Sequence, residues 1–138
     1  MTKSLFHLRQ FRLLLLVLLC ALFSLPLSAQ EAYVQKSEDQ HTLTFYYDNN
    51  RKLRSGKTWV IDEKYSSLPA WTNNKAVIKV VFDTSFKDFL PLTTYSWFYN
   101  LKALTTIEGL ENLNTSAVTD MRYMFDDCSG LTSLNLSN

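Results

Sequence analysis

Apolar side chains in the C-terminal half of the chain recur with a fixed offset of 27 residues. A constant offset of this length is typical of units that cannot each bury an apolar core and therefore stack on one another. The pattern predicts successive coils of a solenoid, whose core is formed by the recurring residues. These residues are Trp97 and Met124, Phe98 and Phe125, Leu101 and Cys128, Leu104 and Leu131, and Ile107 and Leu134.

Each predicted coil contains a short strand with one inward and one outward face, because successive side chains of a strand alternate between faces. The leucines of the segment 131–136 point inward in this interpretation, and Ser133 and Asn135 point outward. The same alternation places Thr106 and Glu108 outward. We take these four polar residues as the candidate ligand-contact set. Apolar residues at helical spacing in the segment 121–128 predict a short helix or turn on the back of the coil.

The residues before the coils are rich in β-forming side chains. HTLTFYY at 41–47 and KTWVI at 57–61 predict the two arms of a hairpin, and KAVIKVVF at 75–82 predicts a further strand. Residues 30–40 are polar with mixed charge, and we expect a flexible leader there.

The N-terminus has the order of regions found in secretory signal peptides. Basic residues without acidic ones precede a nearly continuous apolar stretch at 13–27, and small residues end at Ala29. We expect cleavage after Ala29 and a secreted or cell-surface location. The alternatives are an uncleaved membrane anchor, which the short apolar core disfavours, and lipidation at Cys20, which the residue Leu19 disfavours.

Removal of residues 1–29 takes away three of the 14 basic residues and none of the 13 acidic ones, which leaves a net charge of −2. This balance does not favour nucleic acid as a partner. One cysteine, Cys128, remains, so no intrachain disulfide is expected.

The segment 107–138, IEGLENLNTSAVTDMRYMFDDCSGLTSLNLSN, resembles the repeat of BspA-like leucine-rich-repeat surface proteins. The resemblance lies in the stretch NTS-V-T-M, a Met-Phe pair, a Cys-Ser pair and a Leu-x-x-Leu-x-Leu strand. LTFYYDNN and VVFDTSF also look like the region that precedes the repeats in members from Bacteroidetes. About two thirds of the chain takes part in the resemblance.

The resemblance and the residue patterns together predict a β-rich α/β protein. A small β-rich entry region at 41–92 leads into the start of a leucine-rich-repeat solenoid at 93–138, with one and a half to two unfinished coils. The implied function is non-catalytic adhesion to host or microbial proteins or glycans, with no cofactor. The chain stops directly after a strand, which indicates a fragment of a longer protein or a shortened, non-functional remnant.

No residue pattern indicates an enzyme or a metal site. The sequence Gly-Lys-Thr at 56–58 lacks the preceding glycine of a phosphate-binding loop, since position 51 is Arg. His41 and Cys128 have no predicted orienting partner for nucleophilic catalysis. The acidic pairs at 62–63 and 126–127 supply too few oxygen ligands for calcium.

A carbohydrate-binding module is the alternative from a different functional class. The mature chain contains Trp59, Trp71 and Trp97 and several tyrosines, and exposed aromatic rings can stack on sugars. The competing interpretation is that Trp97, Phe98 and Tyr99 fill the core of the first coil. Loss of sugar binding when Trp71 is changed to Ala would favour the carbohydrate-binding module over the core interpretation.

Overall fold

The computed structural model describes residues 29–62 and 67–134, and its regular structure consists of five strands and three short 3-10 helices. The strands are β1 (Glu31–Lys36), β2 (Thr42–Asp48), β3 (Lys57–Val60), β4 (Lys79–Phe82) and β5 (Thr106–Glu108). The 3-10 helices span Arg51–Leu53, Thr84–Asp88 and Leu110–Asn112.

All five strands belong to one mixed sheet with the order β3-β1-β2-β4-β5. β1 is antiparallel to both β2 and β3, whereas β2, β4 and β5 are parallel to one another. The two edge strands are short: β3 has four residues, as has β4, and β5 has three. The sheet is therefore open, with one antiparallel end and one parallel end.

The predicted fold class, an α/β entry region followed by a leucine-rich-repeat solenoid, is wrong. Among the described residues there is no α-helix, and the strands form one small open sheet rather than a wound solenoid. β5, from the part of the chain expected to form repeats, pairs with β4 from the expected entry region. The physical reason is that Val80 of β4 lies opposite Ile107 of β5, so the two strands extend the same sheet and place these side chains in one core.

The expected flexible leader at 30–40 is also wrong, because β1 occupies most of it. Ala32 and Val34 are buried on the core face of β1, and Tyr33 is buried on the other face. The segment 30–40 is polar on average, so its three apolar residues at 32–34 did not predict a strand. As a result, β1 lies near the centre of the sheet rather than outside it.

The predicted hairpin between residues 41–47 and 57–61 does not form. β3 pairs with β1, which lies between β2 and β3. β1 and β2 form the hairpin instead, with Val34 opposite Phe45. β1 thus offers two hydrogen-bonding edges, and both are used.

The core lies on one face of the sheet and is dominated by aromatic side chains. The Phe45 ring is fully buried, and its centroid lies 4.8 Å from that of Phe82 and 5.3 Å from that of Trp97. The 3-10 helix Thr84–Asp88 brings Phe86 to 5.7 Å from the Phe45 centroid. Asp83 caps this helix by accepting a hydrogen bond from the Ser85 backbone N–H at 2.9 Å.

The 27-residue offset of the sequence has a local structural counterpart in two neighbouring turn segments, 93–100 and 120–126. Alternate backbone N–H groups of the first segment donate to carbonyl groups of the second, over 2.9 to 3.0 Å. Left-handed backbone conformations recur with the same offset, at Ser96 and Tyr123 and at Asn100 and Asp127. This pairing explains the sequence periodicity as side-by-side turns that back the sheet.

The face of the sheet opposite the core is held by a compact polar cluster. The Tyr33 hydroxyl donates to Asp48 Oδ1 at 2.6 Å, and Arg54 donates from Nη2 to Asp48 Oδ2 at 2.6 Å. The Arg54 guanidinium also lies 3.5 Å from the centroid of the Tyr46 ring. Burial and the hydrogen bond to Asp48 raise the pKa of Tyr33 to about 12.

We expect the free energy of unfolding to fall at high pH, because the Tyr33 hydroxyl ionises less readily in the folded protein than in the unfolded chain. Its pKa in the folded protein, about 12, exceeds the ordinary value of 10.0, so its stabilising effect is complete below pH 10 and is lost as the pH rises towards 12. Denaturant unfolding between pH 9 and 12 measures this loss, and ultraviolet titration should show one tyrosine that ionises last. Tyr33→Phe is the control: it should remove that late step. Ionisation of all tyrosines together near pH 10 would contradict the prediction.

Candidate ligand-binding cleft

A cleft of about 290 Å³ opens beside the edge strand β3. Its lining is mainly apolar and comes from three segments of the chain: the end of β3, the loop 67–71 and the turn segment 93–97. The lining residues are Trp59, Val60, Ile61, Asp62, Ser67, Leu68, Pro69, Ala70, Trp71, Thr93, Tyr95 and Trp97.

The cleft exists because the core layer extends as far as β3, where the sheet ends. Trp59 and Ile61 lie on the same face of the sheet as Val34, since Val34 is the pairing partner of Trp59 and side chains alternate along a strand. The loop 67–71 and the segment 93–97 face them from the opposite layer. Among the described residues, no further strand covers the gap at this end of the core.

The floor of the cleft is rigid. Trp71 and Trp97 are buried, with 5% and 3% of their surfaces exposed. The Trp71 indole N–H donates to the Trp97 carbonyl at 2.8 Å, and the Trp97 ring stacks on Phe45. Trp71 is therefore part of the core rather than an exposed sugar platform, and it is a poor choice for testing sugar binding.

The rim of the cleft carries the accessible side chains. Trp59 and Tyr95 are half-buried, and Val60 and Leu68 are each 48% exposed. The Lys57 ammonium group lies 5.0 Å from the centre of the Trp59 ring system. Apolar exposure of this kind next to a concave surface is typical of a binding site.

Two residues of the candidate contact set lie around a different concavity. Thr106 and Ser133 line a polar surface depression next to β5. Glu108 is exposed and forms an ion pair with Lys79, with the charged atoms 2.7 Å apart. The fourth residue, Asn135, lies outside the described residues. The structure therefore brings Thr106 and Ser133 together and leaves Glu108 engaged with a neighbouring strand.

The candidate repeat-core residues all lie in or against the apolar core. Six are buried: Trp97, Phe98, Leu101, Leu104, Met124 and Cys128. Four are partly buried and pack against it: Ile107, Phe125, Leu131 and Leu134. The 27-residue offset thus identified core positions, although the architecture inferred from it is wrong.

The groups weighed for catalysis have structural partners of their own. Cys128 is buried and its thiol donates to the Phe98 carbonyl at 2.9 Å, and burial raises the pKa of this thiol. His41 is exposed beside Asp39, at 3.7 Å. Asp127 forms an ion pair with Lys102 at 3.0 Å. Glu63 lies outside the described residues.

Within the ranges 29–62 and 67–134, no group of three or more histidine, cysteine or acidic side chains is placed to hold a metal ion. A search of the same residues finds no helix with the length and apolar character needed to cross a membrane.

Comparison with protein-family models, curated proteins and solved structures finds no match to this chain. The resemblance to BspA-like proteins stays a prediction from the sequence alone.

Sequence reasoning did not identify Trp59, Leu68 and Tyr95 as neighbours around one cleft. A signal was present in β3: Lys57, Trp59 and Ile61 alternate with polar or small apolar residues, and a lysine at the head of a short amphipathic strand is typical of a sheet edge. An aromatic residue on the core face of an edge strand borders the end of the core. Trp59 could be placed at such a border only once β3 was known to be an edge strand.

We expect Trp71→Phe to destabilise the protein by about 1 to 3 kcal/mol, because it leaves the buried Trp97 carbonyl without its donor. Trp59→Phe is the matched control and should cost under about 1 kcal/mol, since Trp59 is half-buried and keeps most of its packing. Denaturant unfolding of the two variants compares them directly. Equal losses would show that the Trp71 hydrogen bond does not hold the floor of the cleft.

Proposed function

We propose that this protein is an exported, non-catalytic binding protein whose ligand site is the cleft beside β3. The observation that carries the proposal is an apolar concave surface between the sheet and the facing layer that no other described strand covers. The cleft would receive an apolar side chain or ring carried by another macromolecule. The export component rests on the signal-peptide pattern of residues 1–29.

The size and chemistry of the cleft support a small apolar anchor. A volume of about 290 Å³ is near the lower limit of small-molecule pockets, which suits one large side chain or one ring. Full burial of an apolar side chain contributes about 1.5 to 3 kcal/mol, so one anchor alone gives weak binding. Additional polar contacts at the rim are needed for specificity.

The floor geometry also supports a preformed site. The Trp71 and Trp97 side chains are buried and fixed by a hydrogen bond, so the cleft does not have to form when the ligand arrives. A preformed site binds more tightly because less conformational entropy is lost.

Selection of random displayed peptides on the purified protein tests this proposal. We expect enriched peptides to carry a large apolar residue and to lose at least about tenfold in affinity on Leu68→Glu, which places a charge at the apolar rim. Thr115→Glu is the matched control, because Thr115 is exposed and does not line the cleft. Binding that is equally affected by both variants, or by neither, would place the ligand elsewhere.

A sugar ring is the second candidate ligand, favoured by the half-buried rings of Trp59 and Tyr95 at the rim. Aromatic rings stack on the apolar faces of sugars.

We expect sugar binding, if it is the function, to be abolished by Trp59→Ala and largely kept by Trp59→Phe, which retains an aromatic face. A glycan array followed by calorimetry on any positive sugar measures this difference. A sugar signal that survives Trp59→Ala would exclude this cleft as the sugar site.

A further inference from the structure

We infer that the ligand of the cleft is an extended peptide that adds to the sheet as a sixth strand beside β3 and inserts one apolar side chain into the cleft. This inference rests on the proposed function, and it specifies the chemical class of the partner and its mode of binding.

The outer edge of β3 presents the backbone groups of two residues that have no hydrogen-bond partner among the described residues. The Ile61 N–H donates to the Ala32 carbonyl at 2.8 Å, which fixes the alternation of the pairing. Lys57, Trp59 and Ile61 therefore direct their backbone groups towards β1. The N–H and C=O groups of Thr58 and Val60 point away from the sheet, and no hydrogen bond to them is found within the described part of the chain.

Two residues that each present one donor and one acceptor match the backbone of an incoming strand. Strand addition of this kind draws affinity from main-chain hydrogen bonds and specificity from pockets for alternate side chains. The cleft provides such a pocket. Every second side chain of an added strand would lie on the face that carries Trp59 and Ile61, where the cleft opens.

The positive charge of Lys57 at the edge of the sheet indicates which side chains the peptide should carry. Lys57 is exposed and lies on the same face as Trp59, two positions away, and no carboxylate pairs with it in the described ranges. An acidic side chain two positions from the apolar anchor of the peptide would reach this ammonium group. The expected motif is therefore an acidic residue and a large apolar residue separated by one position.

An extended peptide explains the site better than the other two occupants. A sugar can fill the cleft but has no repeating donor and acceptor groups that match the strand edge. Among the described residues, a second copy of the chain would offer one of its own edge strands, β3 or β5. β3 contains no acidic residue to pair with Lys57, and Glu108 of β5 already forms an ion pair with Lys79.

The test uses a synthetic peptide, acetylated and amidated, of sequence Thr-Glu-Thr-Phe-Thr. We expect its binding to slow amide hydrogen exchange at Thr58 and Val60 by tenfold or more, as measured by nuclear magnetic resonance. The Trp59 amide is the internal control, because it already pairs with β1 and should change little. A matched peptide with methylated backbone nitrogens keeps the side chains and should bind at least tenfold more weakly.

The side-chain contacts have their own variants. Leu68→Glu should weaken the peptide through the cleft, and Lys57→Gln should remove the preference for the glutamate peptide over its glutamine analogue.

The outcomes separate this inference from the proposed function. Peptide binding that depends on Leu68 but leaves exchange at Thr58 and Val60 unchanged would overturn strand addition while the cleft remains the site. Binding of a glycan but of no peptide would overturn the peptide class.

Protection of the same two amides by protein concentration alone would show that a second copy occupies the edge. Binding of neither peptide nor glycan would overturn the proposed function as well.

Discussion

The packing of aromatic rings around Phe45 is the interaction on which the rest of the structure depends. Phe45 lies on the central strand β2, fully buried, and five other rings approach its centroid within 5.8 Å. These rings come from β4, from the 3-10 helix Thr84–Asp88, from the loop 67–71 and from the turn segment 93–100. One side chain therefore joins the sheet to three segments of the facing layer, including the floor of the cleft. A small sheet with short strands needs such a dense core, since its strands alone bury little area.

The same arrangement explains why the protein has a cleft at one end of the sheet. The facing layer extends as far as β3, and Trp71 and Trp97, whose rings contact Phe45, line the cleft together with Trp59 and Ile61 at that edge. An open edge next to apolar surface favours aggregation, and short length and an edge lysine are the usual protections. β3 has both features, with four residues and Lys57 at its start. These protections limit pairing with unrelated strands, while Thr58 and Val60 stay accessible.

The sequence indicated the residues of the core more reliably than their architecture. The 27-residue offset identified Trp97, Phe98 and Leu104 as core positions because it reflects the side-by-side pairing of turn segments, and such local regularity is visible in one sequence. It could not show that β4 and β5 continue a sheet that begins with an antiparallel hairpin. That arrangement depends on β1, whose apolar stretch of three residues was concealed by polar neighbours. The cleft was not predictable for the same reason: its walls come from segments that meet only once β3 is known to be an edge.

The position of β3 itself is fixed from the opposite face of the sheet. Arg54, three residues before the strand, is anchored to Asp48 and lies over the Tyr46 ring. Gly56 follows in a left-handed conformation, with φ of 82°, and a Cβ atom there would lie 2.6 Å from the Lys36 carbonyl oxygen. Only glycine allows the chain to approach β1 this closely before pairing with it. Both features hold the edge strand in an extended, paired state before any ligand arrives. In the proposed strand addition, the partner strand would then lose mainly its own conformational entropy, which favours binding at a short edge.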